Sequence, residues 1–328
     1  MLSFPTVTKA AANEGLQLWI FTILPALLPY TIISSLLLQI NAFSVPCHLL
    51  ERLLKRKLPK NEFFALICGC LCGCPIGAKI AADLYRDGKL GRNRAEFLMC
   101  AFNNISPSFL INYVFIEIYA PFVRLTFFDK WMLYFIMICS TILGSGLVVF
   151  ITKHVFQSNS NNHIFSCIKK AHSTELFIKN QAYNTDSNTN IEKPKNTFTK
   201  PNFMSILDKC IFSAFEIQVK IGGYIILFTI VTNLFIYTLN LPVLHAACFG
   251  SVLEVTSGLE LFLLCRDIAS LPLWFIPAII TALTVFGGIC TIFQTKTVIA
   301  DTDLSICRYT ISKLVAGVIS FILAGLYL

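Results

Sequence analysis

The sequence predicts an all-α polytopic membrane protein made of two inverted repeats, each with a re-entrant helical hairpin and a broken transmembrane helix. Three observations lead to this prediction: an apolar composition, apolar segments that are interrupted near their centres, and the same order of segments in both halves. Of 328 residues, 55% are hydrophobic and only 13% are charged, against about 25% charged residues in soluble domains. The mean hydropathy of +0.70 agrees with a membrane setting.

The first half begins with an apolar span over residues 15–40. Pro25 and Pro29 lie inside it and predict a kink, because proline removes a helical hydrogen bond. Residues 41–61 follow and carry five lysines and arginines. Basic residues beside a span indicate the cytoplasmic side of the membrane.

The segment 62–85 predicts a re-entrant hairpin rather than a plain span. It is interrupted at its centre by Cys74-Pro75-Ile76-Gly77, where proline and glycine favour irregular backbone. Each arm of about 12 residues is about 18 Å long, which is little more than half of a hydrocarbon core of about 30 Å. Both ends are flanked by basic residues, so the chain is expected to enter and return on the cytoplasmic side, with Pro75 and Gly77 at the tip.

The rest of the first half contains a second break. The predicted span 95–119 is interrupted by Asn103-Asn104-Ile105-Ser106-Pro107, and a further span follows at 131–152. These segments make residues 1–152 the first membrane repeat. Residues 153–203 are rich in Asn, Ser, Thr and Lys and predict a flexible cytoplasmic linker.

The second membrane repeat, residues 204–328, follows the same plan. We expect an interfacial helix at 202–220, a span at 221–239, a hairpin at 241–264, a broken span at 273–300 and a last span at 304–326. The hairpin is interrupted by Glu254-Val255-Thr256-Ser257-Gly258, and the broken span by Gly287-Gly288. Three full crossings per half make the second half run in the opposite sense. Broken helices at matching places of two inverted halves are typical of a transporter binding site.

The basic residues support this topology. Of 26 lysines and arginines, only four fall on the predicted external side, namely Lys9, Arg124, Lys130 and Arg266. The bias explains the net charge of +8 through orientation and contact with anionic lipid, without a nucleic-acid partner. We therefore expect a multi-pass protein of the cell membrane that contacts membrane lipid. The sequence leaves open whether the protein forms a homo-oligomer.

Polar residues at the interruptions are the predicted substrate-binding residues. Lys79 either snorkels to the cytoplasmic face or pairs with Glu254 or an anionic substrate group, and Glu254 serves either the site or a structural ion pair. The amides and hydroxyls of the broken spans bind a polar ligand or satisfy carbonyls freed at the breaks. The full set is Lys79, Asn103, Asn104, Ser106, Glu254, Thr256, Ser257, Gln294 and Thr295, with Pro75, Gly77 and Gly258 at the hairpin tips.

Four cysteines in the first hairpin, Cys68, Cys70, Cys72 and Cys74, raise the alternative of a soft metal ion. On a helix they form two pairs on faces about 160° apart, so four could not bind one ion without unwinding. Glycines at positions 69, 73 and 77 favour close helix packing instead. We therefore expect neither a metal site nor a cofactor. The membrane segments contain no nucleophile-base pair, and an enzyme is not expected.

The motifs of the first half resemble those of a known family. Gly73-Cys74-Pro75-Ile76-Gly77-Ala78-Lys79 is followed by Asp83-Leu84, Gly88-Lys89-Leu90, Glu96 and Asn103-Asn104-Ile105-Ser106-Pro107. The resemblance also covers Pro25, Pro29, Glu254-Val255-Thr256-Ser257-Gly258, Gly287-Gly288 and Gln294. Together these resemble the YlbJ-type sporulation integral membrane proteins. Those proteins carry nucleoside-recognition or gate domains, which also occur in concentrative nucleoside transporters and ferrous-iron transport proteins.

The resemblance implies a transporter-like membrane protein of spore-forming bacteria that moves or senses a small polar solute, nucleoside-like by family analogy. Two features depart from the family pattern: Cys74 stands where an aromatic residue is expected, and Ile105-Ser106 where a Ser-Gly pair is more usual. One alternative is a metal-ion transporter that uses the cysteine-rich hairpin. Another is a non-transporting membrane protein needed for spore assembly, which binds partners through residues 153–203.

Overall fold

The computed structural model describes residues 4–40, 60–158, 203–265, 272 and 274–328, and this part of the chain is all-helical, as predicted. The first half contains α1 (Pro5–Gln17), a π-helical stretch (Leu18–Ile23), α2 (Leu24–Gln39), α3 (Lys60–Cys72), α4 (Ile76–Arg86), α5 (Arg92–Phe102), α6 (Pro107–Phe109) with a π-helical continuation (Leu110–Ile118), and α7 (Phe127–Ser158). The second half contains α8 (Phe203–Leu239), α9 (Val243–Leu253), α10 (Val255–Leu261) with a 3₁₀ turn (Phe262–Cys265), α11 (Phe275–Phe286), α12 (Gly288–Val298) and α13 (Ile306–Tyr327).

The protein is a multi-pass membrane protein by the length and apolar character of its helices. Among the described residues, four helical segments can each cross a bilayer, namely Phe127–Thr152, Phe203–Leu239, Phe275–Val298 and Ile306–Tyr327. A pair bent by 50°, Pro5–Ile23 with Leu27–Leu37, can form a fifth crossing. The predicted crossing 95–119 is not among them, because the break after Phe102 divides it into shorter helices. The inverted order of the two halves stays a prediction.

One predicted boundary is wrong. The interfacial helix 202–220 and the span 221–239 are a single helix of 37 residues, α8. Lys220, placed at the expected boundary, pairs with Glu216 at 2.7 Å within the same helix. No proline occurs in α8 to end the helix there, so the polar residues mark an exposed face of α8 and not a break in it.

α1 packs closely against α8. A Cβ atom on Gly15 would lie 2.9 Å from the Cα atom of Ile226, so no larger residue fits at this position. One turn along α8, the indole of Trp19 fills the space above Gly222, and its Nε1 donates to the carbonyl of Gln218 at 3.1 Å. Small residues permit such approach where helices meet in a membrane.

Both predicted hairpins are helical hairpins folded back at the predicted breaks. In the first, α3 and α4 touch where a Cβ atom on Gly77 would lie 3.1 Å from the Cα atom of Gly69. In the second, a Cβ atom on Gly258 would overlap with the backbone of Gly250. The contacting glycines are eight residues apart in each hairpin. Their spacing gives both hairpins the same tight closure around their tips, while entry of the hairpins into a membrane stays a prediction.

Polar and aromatic contacts join the two halves at two ends of the helix bundle. At one end, Asp303 accepts from the Tyr85 hydroxyl at 2.7 Å and pairs with Arg92 at 3.2 Å. The buried carboxylate of Glu96 pairs there with Arg92 and with Arg308. At the other end, the rings of Phe4 and Tyr237 stack edge to face, and Tyr327 donates to Asp129 at 2.7 Å.

The described helices within residues 1–148 and 204–328 form one compact unit. The predicted cytoplasmic linker at 153–203 lies almost wholly outside the described residues, as do the basic loop before Lys60 and Arg266. The domain boundaries at 152 and 204 therefore stay predictions, and the helices of this unit carry the site.

Candidate functional site

In the first half, the hairpin tip contacts the break of the following span. The backbone N–H of Cys74 donates to the carbonyl of Asn104 at 2.6 Å. A Cβ atom on Gly73 would lie 2.8 Å from the backbone nitrogen of Ser106, and Gly73 has a φ of +81°. Glycine alone combines that dihedral with that lack of space. Gly77 is also held against the break, because its Cβ position lies 2.8 Å from the carbonyl oxygen of Phe102.

The second half repeats this contact. The break between α11 and α12 falls at Gly287, whose left-handed backbone, with a φ of +79°, ends α11 and precedes α12. The next residue, Gly288, lies against the tip of the second hairpin, with its Cβ position 3.2 Å from the carbonyl oxygens of Ser251 and Leu253. In both halves, therefore, the tip of a hairpin rests on the broken span that follows it.

Asn103 joins the two halves through its side-chain amide. Its oxygen accepts from the backbone N–H of Ala78 at 3.1 Å, next to the first hairpin tip. Its nitrogen lies 3.0 Å from the Thr295 hydroxyl and 3.1 Å from the Tyr309 hydroxyl, both in the second half. Asn103 and Thr295 are almost completely buried. These two predicted site residues thus hold protein elements together at the centre.

Lys313 is a buried charge at this centre that the sequence reasoning missed. Its Nζ donates to Asn104 Oδ1 at 2.5 Å and lies 5.6 Å from the centre of the Tyr309 ring. It is 2% exposed, and among the described residues no carboxylate forms an ion pair with it. The signal was present in the sequence, because Lys313 lies inside an otherwise apolar span where charged groups are costly.

Glu254 occupies the tip of the second hairpin and is 2% exposed. Its backbone is extended, and its two carboxylate oxygens accept from the N–H groups of Thr256 at 3.0 Å and Ser257 at 2.6 Å. The carboxylate therefore caps the first turn of α10, whose N–H groups have no partner within the helix. The cap therefore supplies partners for the buried carboxylate, for which the sequence left a site role and a structural ion pair open.

Lys79 pairs with Asp83 instead. The ion pair measures 3.4 Å, and the two side chains are 34% and 40% exposed. Of the alternatives considered for Lys79, the pair with Glu254 is therefore not formed, because Lys79 extends along its own helix away from the tip. Lys79 lines a cavity of about 140 Å³ with Arg86, Glu216 and Lys220, which we call the basic vestibule.

A smaller cavity of about 60 Å³, the central cavity, lies between the two hairpin tips. Its polar lining consists of Cys74, Ser106, Glu254, Thr256, Thr291 and Gln294. It is bordered by the basic vestibule, since Gln294 and Ile221 line both. A cavity of this volume holds a few water molecules, whereas ligand pockets typically exceed about 300 Å³. The central cavity is therefore the candidate site, although it is smaller than a typical ligand pocket.

The structure distributes the predicted site residues over three places. The central cavity is lined by Ser106, Glu254, Thr256 and Gln294. The basic vestibule is lined by Pro75 and Lys79, and Gln294 borders it as well. Asn103, Asn104 and Thr295 belong to the network around Lys313. Gly77 and Gly258 close the hairpins, and the Ser257 hydroxyl is buried without a hydrogen-bond partner in the described part.

The cysteines of the first hairpin do not converge on one point. Cys68 and Cys72 are buried, whereas Cys70 and Cys74 are partly exposed, and Cys74 lies at the tip, where it lines the central cavity. Within the described ranges, no three His, Cys, Asp or Glu side chains are placed to hold a metal ion. Gly69 and Gly77, in contrast, make the close packing that was predicted for them.

Comparison with known proteins gives one informative match. The chain is 24% identical over 348 aligned positions to the sporulation integral membrane protein YlbJ of Bacillus subtilis, and the alignment covers 97% of this chain and 77% of that protein. The predicted resemblance to YlbJ-type proteins is confirmed. No protein-family model matches the chain, and no solved structure matches it significantly.

Proposed function

Because the chain resembles YlbJ over almost its whole length, we propose that it is a sporulation-linked membrane protein that moves a small polar solute by alternating access around its two hairpin tips. The observation that carries this proposal is the convergence of four chain breaks, two from each half, on one buried polar centre. Irregular backbone at membrane depth persists only where protein or a watery cavity covers it. Broken helices of this kind form the solute sites of transporters.

Two buried charged residues flank the centre. Glu254 lines the central cavity, and Lys313 lines a small space on its other side. The two spaces share Cys74, Ile105 and Thr291 as lining residues. Charged side chains inside membrane segments are costly and are typical of solute and ion pathways. Glu254 and Lys313 are therefore the residues we assign to the solute.

The contacts at the two ends of the bundle support inverted repeats. Tyr85 and Asp303 meet at one end, and the predicted topology places both on the cytoplasmic side. Phe4 meets Tyr237 at the other end, where the topology places both outside. Opposite orientation of the two halves thus accounts for both contacts.

The cavities define how a solute would enter. The basic vestibule carries Lys79, Arg86 and Lys220, which pair with Asp83 and Glu216, so one net positive charge remains and favours solutes with an anionic or strongly polar group. A nucleoside-like solute, the class implied by family resemblance, is too large for the central cavity of about 60 Å³. Its binding would require the hairpin tips to separate, as alternating access demands.

The test is thermal stabilisation of the purified protein in detergent across nucleosides, nucleobases and divalent metals. A ligand that binds the folded state raises the unfolding temperature. We expect a polar solute to raise the unfolding temperature of the wild type but not that of Glu254→Gln. The matched control is Glu117→Gln, the same change at an exposed glutamate, which should keep the shift.

The other outcomes have distinct meanings. A shift with metals alone, removed by Cys68→Ser and Cys72→Ser, would replace the solute by a metal ion. Transport would be contradicted if no compound changed the unfolding temperature and sporulation failed only when residues 153–203 were deleted. That result would favour a partner-binding role in spore assembly.

A further inference from the structure

α8 is the membrane-crossing helix that the rest of the protein covers least. Among the four segments of the described part that can each cross a bilayer, α8 has the smallest buried share, 28% of its most apolar stretch. The corresponding share for Phe275–Val298 is 61%. In a membrane, lipid therefore covers most of the surface of α8.

Two contacts hold α8 against α12 along a line that we call the seam. The hydroxyl groups of Tyr224 and Thr297 are hydrogen-bonded at 2.7 Å. The rings of Phe228 and Phe293 lie 5.5 Å apart. The two pairs are four residues apart on each helix, and the numbers rise on α8 as they fall on α12. The helices are therefore antiparallel neighbours in a fixed register.

The seam has an inner side and an outer side. Ile221 of α8 and Gln294 of α12 flank the inner side, where both line the central cavity. At about 100° per residue, Gly223 projects about 160° away from Ile221, and Lys296 about 160° away from Gln294. Gly223 and Lys296 therefore lie on the outer side, which faces lipid.

An apolar recess lies on the outer side of the seam. Leu227 and Phe293 are each 48% exposed there. The space at Gly223 is open, because a Cβ atom on this residue would meet no atom within 4 Å. The missing side chain leaves a recess beside Leu227 and Phe293 that an acyl chain can fill.

Two lysines lie one turn from this recess, both toward the predicted cytoplasmic end. Lys220 precedes Gly223 on α8, and Lys296 follows Phe293 on α12. Lys220 pairs with Glu216 at 2.7 Å, whereas no carboxylate of the described residues forms an ion pair with the exposed Lys296. The seam therefore carries a net positive charge next to the basic vestibule, which Lys220 also lines.

The ligand chemistry that fits these lysines is a phosphate group with a single negative charge. A free phosphate ion and the headgroup of a phospholipid both offer it. The recess decides between them, because a phospholipid presents its phosphate above an acyl chain, in the same order as the lysines and the recess. Basic sites between membrane helices on the cytoplasmic side bind such headgroups, and lysine side chains extend to their level.

We propose that the outer side of the seam binds one anionic phospholipid, with its phosphate held by Lys220 and Lys296 and an acyl chain in the recess at Gly223, Leu227 and Phe293. The lipid would hold α8 against α12 at the edge of the basic vestibule. This binding does not depend on the proposed transport and is measured without any solute.

The experiment measures the unfolding temperature of the full chain in maltoside detergent, as phosphatidylglycerol replaces phosphatidylcholine of the same acyl chains at constant total lipid. We expect phosphatidylglycerol to raise the unfolding temperature in a saturable way, because it binds the folded state. Lys296→Gln should weaken the apparent affinity for phosphatidylglycerol about tenfold. The matched control is Lys9→Gln, the same change at an exposed lysine of α1, which should keep the affinity.

A second variant tests the recess without changing any charge. Gly223→Leu fills the open space with a side chain whose Cβ meets no protein atom, so the fold should be kept. The affinity for phosphatidylglycerol should again fall about tenfold. Gly146→Leu makes the same change at an equally open glycine of α7 and should keep the affinity.

Equal stabilisation by phosphatidylglycerol and phosphatidylcholine would overturn the proposal, because it would show a general effect of lipid. Equal stabilisation by inorganic phosphate would also overturn it, since the ligand would then be the free ion. An equal loss of affinity in Lys296→Gln and Lys9→Gln would reduce the effect to net charge. An unchanged affinity in Gly223→Leu would overturn the seam as the place where the acyl chain binds.

Discussion

The two hairpin tips have the same closure but are held in different ways. The first tip is fixed by other elements: Cys74 donates to the carbonyl of Asn104, and Ala78 donates to the side chain of Asn103. Asn103 in turn contacts Thr295 and Tyr309 of the second half. The first tip is therefore part of a hydrogen-bonded network that spans the protein.

The second tip is held mostly by itself. Glu254 caps its own helix, and in the described part the backbone hydrogen bonds of Glu254 stay within the hairpin. Its link to the first half is the Tyr113 hydroxyl, which lies 3.2 Å from the carbonyl oxygen of Thr256. Moving the second tip breaks few hydrogen bonds, whereas moving the first breaks many. The comparison predicts that the second hairpin is the one that moves.

The largest effect is expected at the first tip. Asn103→Ala leaves the N–H of Ala78 without its acceptor and removes the donor to Thr295 and Tyr309. We expect the free energy of unfolding to fall by about 3–5 kcal/mol, since several buried groups lose partners together. Chemical denaturation in detergent measures it. Asn233→Ala, whose side chain bonds Glu14 and its own helix, is the control and should cost much less. Equal losses would remove the distinction between the tips.

A smaller loss is expected at the second tip. Glu254→Ala removes the acceptors for the N–H groups of Thr256 and Ser257. Since loss of a helix cap costs about 1–2 kcal/mol, we expect the free energy of unfolding to fall by that amount. Glu254→Gln keeps one acceptor oxygen and should lie between Ala and wild type. The same denaturation measurement decides the order. A loss for Glu254→Ala as large as that for Asn103→Ala would show that both tips are equally fixed.

Replacing Lys313 is expected to affect solute binding much more than the stability of the fold. Lys313→Met removes a buried charge, which offsets the lost partner of Asn104, so we expect the free energy of unfolding to change by no more than about 1 kcal/mol. Solute-dependent stabilisation should disappear. Lys130→Met, at a partly exposed lysine in α7, should leave both quantities unchanged. Strong destabilisation by Lys313→Met with an intact solute shift would make Lys313 a structural residue.

The sequence could predict the breaks, because proline, glycine and clustered amides in apolar segments each have a local cause. It predicted the two hairpins around Pro75 and Glu254 for that reason. It could not predict which side chains would pair. Lys79 pairs with Asp83 on its own helix, because residues four apart on a helix are close neighbours and a local partner is available before any distant one. Lys313 was overlooked because its segment contains no break, although its isolated charge was visible.

The smallest effect on stability is expected at Lys79. Its pair with Asp83 is partly exposed and spans one helical turn, and such pairs contribute about 0.3–0.5 kcal/mol. Lys79→Met should therefore leave unfolding nearly unchanged. It removes one positive charge from the basic vestibule, so binding of an anionic solute should weaken and depend less on salt. Titration of the solute shift at two ionic strengths measures this, with Lys89→Met, on an exposed turn, as the control. An unchanged salt dependence in Lys79→Met would mean that solutes reach the central cavity by a path other than the vestibule.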